Sequence, residues 1–301
     1  MKTALDCLPC FLNQALRAGR ISTADPEVQL MILHEAASLI QKMDMNRTPP
    51  ENSVDFYAMI ARLSRNPDPY LELKNQSNDQ ALAVLPALQK EIRAADSPLA
   101  LAFRLAIGGN IIDYGALKKF DIGAALAVCR EVPLVIDHIQ ALLGVVEGLP
   151  PSAKVLYLAD NCGEIVYDSL VVELLSDRGL DVIVAVKGAP IINDALISDA
   201  SHCGMDRHAR IISNGTACPG TPLTRCSSEL QECFWSADLV ISKGQGNFET
   251  LSEVDRQIFF LLTVKCPVVG AHLAEMAGVV PSRLSGDGEL VLYDHSGNKN
   301  L

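Results

Sequence analysis

Val155-Leu156-Tyr157-Leu158-Ala159-Asp160-Asn161-Cys162-Gly163-Glu164-Ile165-Val166-Tyr167-Asp168 is the stretch that decides how this chain folds. Its opening residues make an apolar run of strand length that ends on Asp160-Asn161. The chain then turns through Gly163, and apolar residues recur at helical spacing over 165–178. Open α/β sheets bind their ligands beyond the carboxyl ends of strands, which is where Asp160 and Asn161 would stand. A carboxylate beside an amide oxygen is a hard donor pair, suited to Mg²⁺ or Mn²⁺. The same two residues would equally serve as a cap for the following helix.

Toward the C-terminus the pattern repeats. Apolar runs at 155–159, 182–187, 210–213, 239–242 and 266–269 read as strands, and 165–178, 191–201, 223–235 and 251–262 read as helices. Alternation of this kind predicts an α/β domain over 151–301 with a parallel sheet covered by helices on both faces, plus a late edge strand at 289–293. Two further strand ends finish in polar turns: Lys187-Gly188-Ala189-Pro190-Ile191-Ile192-Asn193-Asp194 and Ser242-Lys243-Gly244-Gln245-Gly246-Asn247. Parallel strands would gather all three turns at one edge of the sheet. Convergent polar groups there favour a ligand site over three unrelated caps.

Asp160, Asn161 and Asp194 supply oxygen ligands for one divalent ion. Lys243, with Gly244, Gln245, Gly246 and Asn247 behind it, suits a phosphate. Lys187 with Gly188 could serve similarly, though a plain strand-end turn explains the pair equally well; Glu164 and Asn193 would line the same cleft. The glycine turn is neither the GxxxxGK[ST] phosphate loop nor the dinucleotide GxGxxG. Metal plus phosphate points to phosphoryl chemistry, with either a metal-activated water or Asp160 itself as nucleophile.

Residues 1–150 read as helical, with apolar three-and-four spacing over 7–18, 26–42, 53–63, 77–95, 99–107, 122–131 and 133–143. This half predicts an all-helical N-terminal domain, ending near Leu149-Pro150-Pro151. Asp68-Pro69-Tyr70, followed by Lys74 and Asn78, reads as cap and turn. So does the glycine-flanked stretch Gly108-Gly109-Asn110-Ile111-Ile112-Asp113-Tyr114-Gly115.

A net charge of −11 argues against a nucleic-acid partner, which would want a basic face. No segment reads as a membrane span, and Asp6 and Pro9 interrupt the N-terminal apolar run, so a cytoplasmic location is expected. Nine cysteines scattered over 301 residues look like reduced thiols. Cys7-Leu8-Pro9-Cys10 has the spacing of zinc and redox sites, but no second cysteine pair completes a four-ligand zinc site, and it reads as helix-face thiols. The six histidines show no HxH or HExxH spacing and read as structural.

Taken together, DNCGEIVYD, KGAPIIND and SKGQGNFETL resemble the DUF89 family of metal-dependent damage-control phosphatases. The early DCLPC, DPYLELKNQSN and GGNIIDYG are similar to signatures of its stand-alone prokaryotic branch. The resemblance runs from Cys7 to about Val269 with the motifs in order. It implies a Rossmann-like α/β domain joined to the helical one, with Mn²⁺, Co²⁺, Ni²⁺ or Mg²⁺ held by Asp160, Asn161 and Asp194. It also implies Lys243 on the phosphate, Asn110 and Asp113 lining the cleft, and hydrolysis of small phosphorylated metabolites such as sugar phosphates. Cys162 stands where the resemblance leads one to expect a small residue. The rival readings are a methyltransferase using S-adenosylmethionine, which would want more glycines after the first strand and an acidic end to the second, and a non-catalytic metal- or phosphometabolite-binding protein.

Overall fold

A computed structural model of the chain describes residues 1–109 and 130–296. Helices α1 (Cys7–Ser22), α2 (Pro26–Gln41) and α3 (Pro49–Ser64) share a core built on Phe11, Ala15, Ile32, Phe56 and Ile60. Their starts follow from the sequence. Asp25 accepts from the Glu27 N–H at 2.9 Å ahead of α2, and Thr48 and Glu51 cap each other's backbone ahead of Pro49-Pro50.

The remaining elements surround one sheet. Its strands are β1 (Ile136–Asp137), β2 (Lys154–Leu158), β3 (Asp181–Val186), β4 (Arg210–Ser213), β5 (Leu239–Lys243), β6 (Gln257–Val264) and β7 (Glu289–Ser296). They lie in the order β1-β7-β6-β5-β2-β3-β4, parallel throughout except for the antiparallel β6–β7 pair. Side chains alternate between faces as the pleat requires. Val155, Tyr157, Val184, Ile241 and Leu261 pack under α4 (Leu71–Ala94), α5 (Pro98–Gly108), α6 (Ile139–Gly148) and α7 (Glu164–Asp177). Leu156, Leu158, Ile183, Val240 and Phe260 pack under α9 (Ser228–Ser236), α10 (Gln245–Leu251) and α11 (Pro267–Ala277). A short α8 (Ile197–His202) lies between β3 and β4. The expected α/β class holds, with a helical layer ahead of it.

Several expected elements are corrected. Residues 251–262 are the end of α10 followed by β6, not a helix. The run Ile258–Leu262 is buried on both faces, so it lacks the period-two signal that marks a half-exposed strand. Residues 266–269 begin α11, with Pro267 in its first turn. Residues 133–143 contain β1 and the start of α6, and the helix expected over 191–201 forms only from Ile197. The expected helix at 122–131 lies largely outside the described residues. The late edge strand is present, longer than expected, and inside the sheet.

Glu249 of α10 is buried, accepting from the Gln245 Nε2 at 2.9 Å, and burial pushes its carboxyl up to about 7. A folded value above the unfolded one means that the native state binds the extra proton. Stability from this group is therefore full near pH 4.5 and is lost as the pH rises through about 7. Glu249→Gln should accordingly be more stable than the parent at pH 8 by roughly 2–3 kcal/mol and nearly equal to it at pH 5. Thermal melts of both proteins at the two pH values measure the gap.

Candidate metal and phosphate site

Between β3 and α8 the chain doubles back onto the end of β2. The Lys187 N–H donates to the Ala195 carbonyl at 3.0 Å, the Ala195 N–H to the Asp160 carbonyl at 2.8 Å, and the Cys162 N–H to the Asn193 carbonyl at 2.8 Å. An isolated antiparallel bridge joins Asn161 to Asp194. These bonds carry Asp194 from the third strand's loop to the side of Asp160-Asn161. The loop is tight enough to hold Ile192 at φ +44°, a left-handed conformation that is costly for a β-branched residue.

The other wall comes from β5. From β2 the chain runs outward through β3 and β4, then returns to β5 on the opposite side of β2, so β2 and β5 flank the point where strand order reverses. Gly244, at φ +80°, lies directly over the Asp160 carboxylate: a Cβ there would sit 1.8 Å from Oδ2. Only glycine fits that turn.

Ionisable groups are concentrated here, and they are buried. Asp160, Glu164, Asp168 and Asp194 are all buried, against the buried ammoniums of Lys187 and Lys243. Lys243 pairs with Glu164 and, at 2.6 Å, with Asp168, and donates to the Ala106 carbonyl at 2.8 Å. Burial would lower its pKa, but the two carboxylates outweigh that and raise it to about 12. The Tyr157 hydroxyl donates to Asp168 at 2.7 Å. Lys187 lies 3.6 Å from Asp194 and donates to the Gly220 carbonyl and to Asn247, each at 3.2 Å. Burial lifts Asp194 to about 6 despite Lys187, and lifts Asp168 to about 6 despite Lys243. Asp160 is held well above the carboxylate range by burial, then by the neighbouring charges of Asp194 and Glu164.

The candidate residues are thus distributed as follows. Asp160, Asn161, Glu164 and Asp194 meet, with Asn161 Nδ2 donating to Asp160 at 2.8 Å and to Glu164 at 3.4 Å. Lys243 reaches the cluster from the far side of Glu164, with its three protons taken by protein oxygens. Asn247 is a clamp: its amide donates to the carbonyls of Ala159 and Lys243, and its oxygen accepts from Lys187 and Thr221. Gln245 bonds Glu249 and the Lys265 N–H. Gly188 and Gly246 permit close approach to protein backbone, at Gly215–Thr216 and Pro219 respectively. Asn110 and Asp113 lie outside the described residues. Gly109 brings α5 against the Tyr167 ring, where a Cβ would sit at 2.6 Å.

Some participants were not read from the sequence as part of the site. Asp168 was legible in principle, four residues after Glu164 and hence on the same helix face. Lys74 and Asn78, read as cap and turn residues, are buried instead. Asn78 accepts from the Gly163 N–H at 2.7 Å and donates to Asp199 at 2.9 Å, tying α4 to the site loop, while Lys74 pairs with Asp68 at 2.5 Å. Cys162 is buried with its thiol pushed up by burial, which does not suit it to metal binding.

A divalent ion fits this donor set. Four buried carboxyls face two ammoniums, an imbalance that one divalent cation would neutralise. Asp194 Oδ2 is buried without a hydrogen-bond partner. No group of three or more His, Cys, Asp or Glu side chains suited to a metal occurs among the described residues. The set is two carboxylates and an amide, so waters or substrate oxygens would complete an octahedron.

Residues 3–280 match the family model of the damage-control phosphatase ARMT1-like domain. The chain is 34% identical over 284 residues to damage-control phosphatase PH1575 of Pyrococcus horikoshii, covering 93% of this chain and 97% of that protein. It is 28% identical over 293 residues to a damage-control phosphatase of Archaeoglobus fulgidus, covering 93% and 99%. The crystal structure of a DUF89 family protein from P. horikoshii superposes with a TM-score of 0.87 at 32% identity, covering 98% of this chain and all of that one.

Proposed function

Because the chain belongs to the damage-control phosphatase ARMT1-like family, also called DUF89, we propose that it is a divalent-metal-dependent phosphatase acting on phosphate esters of small metabolites. Asp160, Asn161 and Asp194 would hold the ion. The single observation that carries this reading is their meeting at the sheet's switch point, with more buried carboxylate than the lysines balance.

When bound, the ion supplies Lewis acidity toward a phosphoryl oxygen. The protein's own part is positional. Gly244 and the Asn161–Asp194 bridge fix the two ligand carboxylates, and Lys243 and Lys187 pair with Glu164, Asp168 and Asp194 and offset their charge in a buried site. For Lys243 to touch a phosphoryl oxygen it must exchange one of its three acceptors, of which the Ala106 carbonyl is uncharged and so the cheapest to release. Glu164 lies between Lys243 and Asn161 and would couple phosphate contact to the metal ligands.

Release of phosphate from p-nitrophenyl phosphate and from a panel of phosphometabolites tests the reading. Samples are stripped with chelator and then resupplied with Mn²⁺, Co²⁺, Ni²⁺ or Mg²⁺. Turnover restored by at least one ion is expected. Full activity in the stripped sample, or methyl transfer from S-adenosylmethionine in place of phosphate release, would contradict it.

A further inference from the structure

Cys7-Leu8-Pro9-Cys10 takes no part in the site above, and burial divides its two thiols. Cys7 is 8% exposed and belongs to the core that α1 shares with α2 and α3. Cys10 is exposed, whereas among the other described cysteines Cys266 is half-buried and the rest are buried. Cysteine is normally a core residue, so a thiol held in solvent does no packing there. The two residues open the first turn of α1 and stand three apart, which puts their Cα atoms about 5 Å from each other, inside the range a disulfide spans. Pro9 lies between them, where its missing N–H removes no helical bond. Cys10 shares a surface recess with Asp6, Asn13, Gln14 and Arg17, and the Gln14 Nε2 donates to its sulfur at 3.3 Å. No group of three metal-ligating side chains forms around the pair among the described residues.

We propose that Cys7 and Cys10 are a reversible redox pair, closing to a disulfide within α1 by exchange with a low-molecular-weight disulfide. The Cys10 thiolate attacks one sulfur of that disulfide, forming a mixed disulfide and releasing one small thiol. Cys7 then attacks the Cys10 sulfur and expels the second small thiol. The pair gives up two protons and two electrons, and both pass to the small disulfide, which leaves as two thiols. The order of attack follows from exposure. Burial withholds Cys7 from solvent and pushes its thiol up, so it acts on a sulfur already brought beside it. The recess offers amide and guanidinium donors and one carboxylate, which complement a zwitterionic peptide thiol such as glutathione. Closing the bridge draws Cys10 toward Cys7 and away from Gln14, whose oxygen accepts from the Tyr57 hydroxyl of α3 at 3.3 Å. This chemistry is independent of phosphate release and does not rest on the phosphatase reading.

The test incubates the full chain with mixtures of glutathione disulfide and glutathione, quenches in acid, and reads intact mass and peptide maps. The parent should lose about 2 Da and two of its nine thiols, with the bridge mapping to Cys7 and Cys10, and dithiothreitol should restore both. Cys7→Ala, which keeps the core position apolar, should stop at the mixed disulfide with one glutathione on Cys10. Cys10→Ser, a change at an exposed position, should fold as the parent does and form no bridge. Nine free thiols in the parent after excess glutathione disulfide would overturn the inference. So would a bridge that maps to Cys7 and Cys266, a parent that halts with glutathione on Cys10, or a Cys7→Ala protein that takes up none there.

Discussion

Asp194→Asn should lose phosphoester turnover by about 10³-fold, equivalent to about 4 kcal/mol of transition-state stabilisation, while the metal-free variant melts higher than the parent. The two effects share one cause. Asp194 is buried beside Asp160, its Oδ2 has no hydrogen-bond partner, and burial raises it to about 6 despite Lys187. The raised folded value means that ionising Asp194 costs the apo protein stability. That cost sets in as the pH climbs from about 4 through about 6 and is fully present at pH 7.5. The variant therefore gains at pH 7.5 and gains little at pH 4. The gain should appear as a few degrees in melting temperature, at on the order of 2–4 °C per kcal/mol for a chain of this size. Added Mn²⁺ should reverse the ranking, because the parent is stabilised by mass action and the variant is not. Melts with and without the ion, beside initial rates, measure all three. Equal ion-induced stabilisation of the two proteins would remove Asp194 from the ligand set.

Lys243→Met should behave in the opposite way, losing stability by about 3–5 kcal/mol whether or not a metal is present. Lys243 is fully buried and neutralises Glu164 and Asp168, so removing it strands two carboxylates in the core. The loss should be smaller at pH 5, where Asp168, already lifted to about 6 by burial, can take up a proton, than at pH 8. It should be partly recovered in Lys243→Met combined with Asp168→Asn, because Asp168 then carries no charge. Urea unfolding at both pH values is the measurement. A Lys243→Met protein as stable as the parent at pH 8, but inactive, would make Lys243 a phosphate contact with no structural charge to balance.

The sequence displayed the site's first half plainly. An apolar run ending on Asp160-Asn161, followed by Gly163 and a helical period, can hardly be read as anything but a strand, turn and helix. That Asp194 belongs beside them was suggested by its place after another strand, yet what brings it there is a backbone bridge that leaves no residue signature. Asp168 was harder to see because α7 is buried from Glu164 to Val172, so a mid-helix carboxylate had no polar face to mark it. Strand order is carried by long-range packing and was not legible, and β6 hid behind its own uniform hydrophobicity. Asp68 and Lys74 read as turn chemistry because their pairing depends on burial, which local sequence does not report.

The most direct test of the central claim is anomalous diffraction from crystals of the protein soaked in Mn²⁺. One strong manganese peak within coordination distance of Asp160, Asn161 and Asp194 is the predicted result, absent from crystals of Asp194→Asn. A peak bound elsewhere, or none at these three side chains in an active preparation, would contradict it.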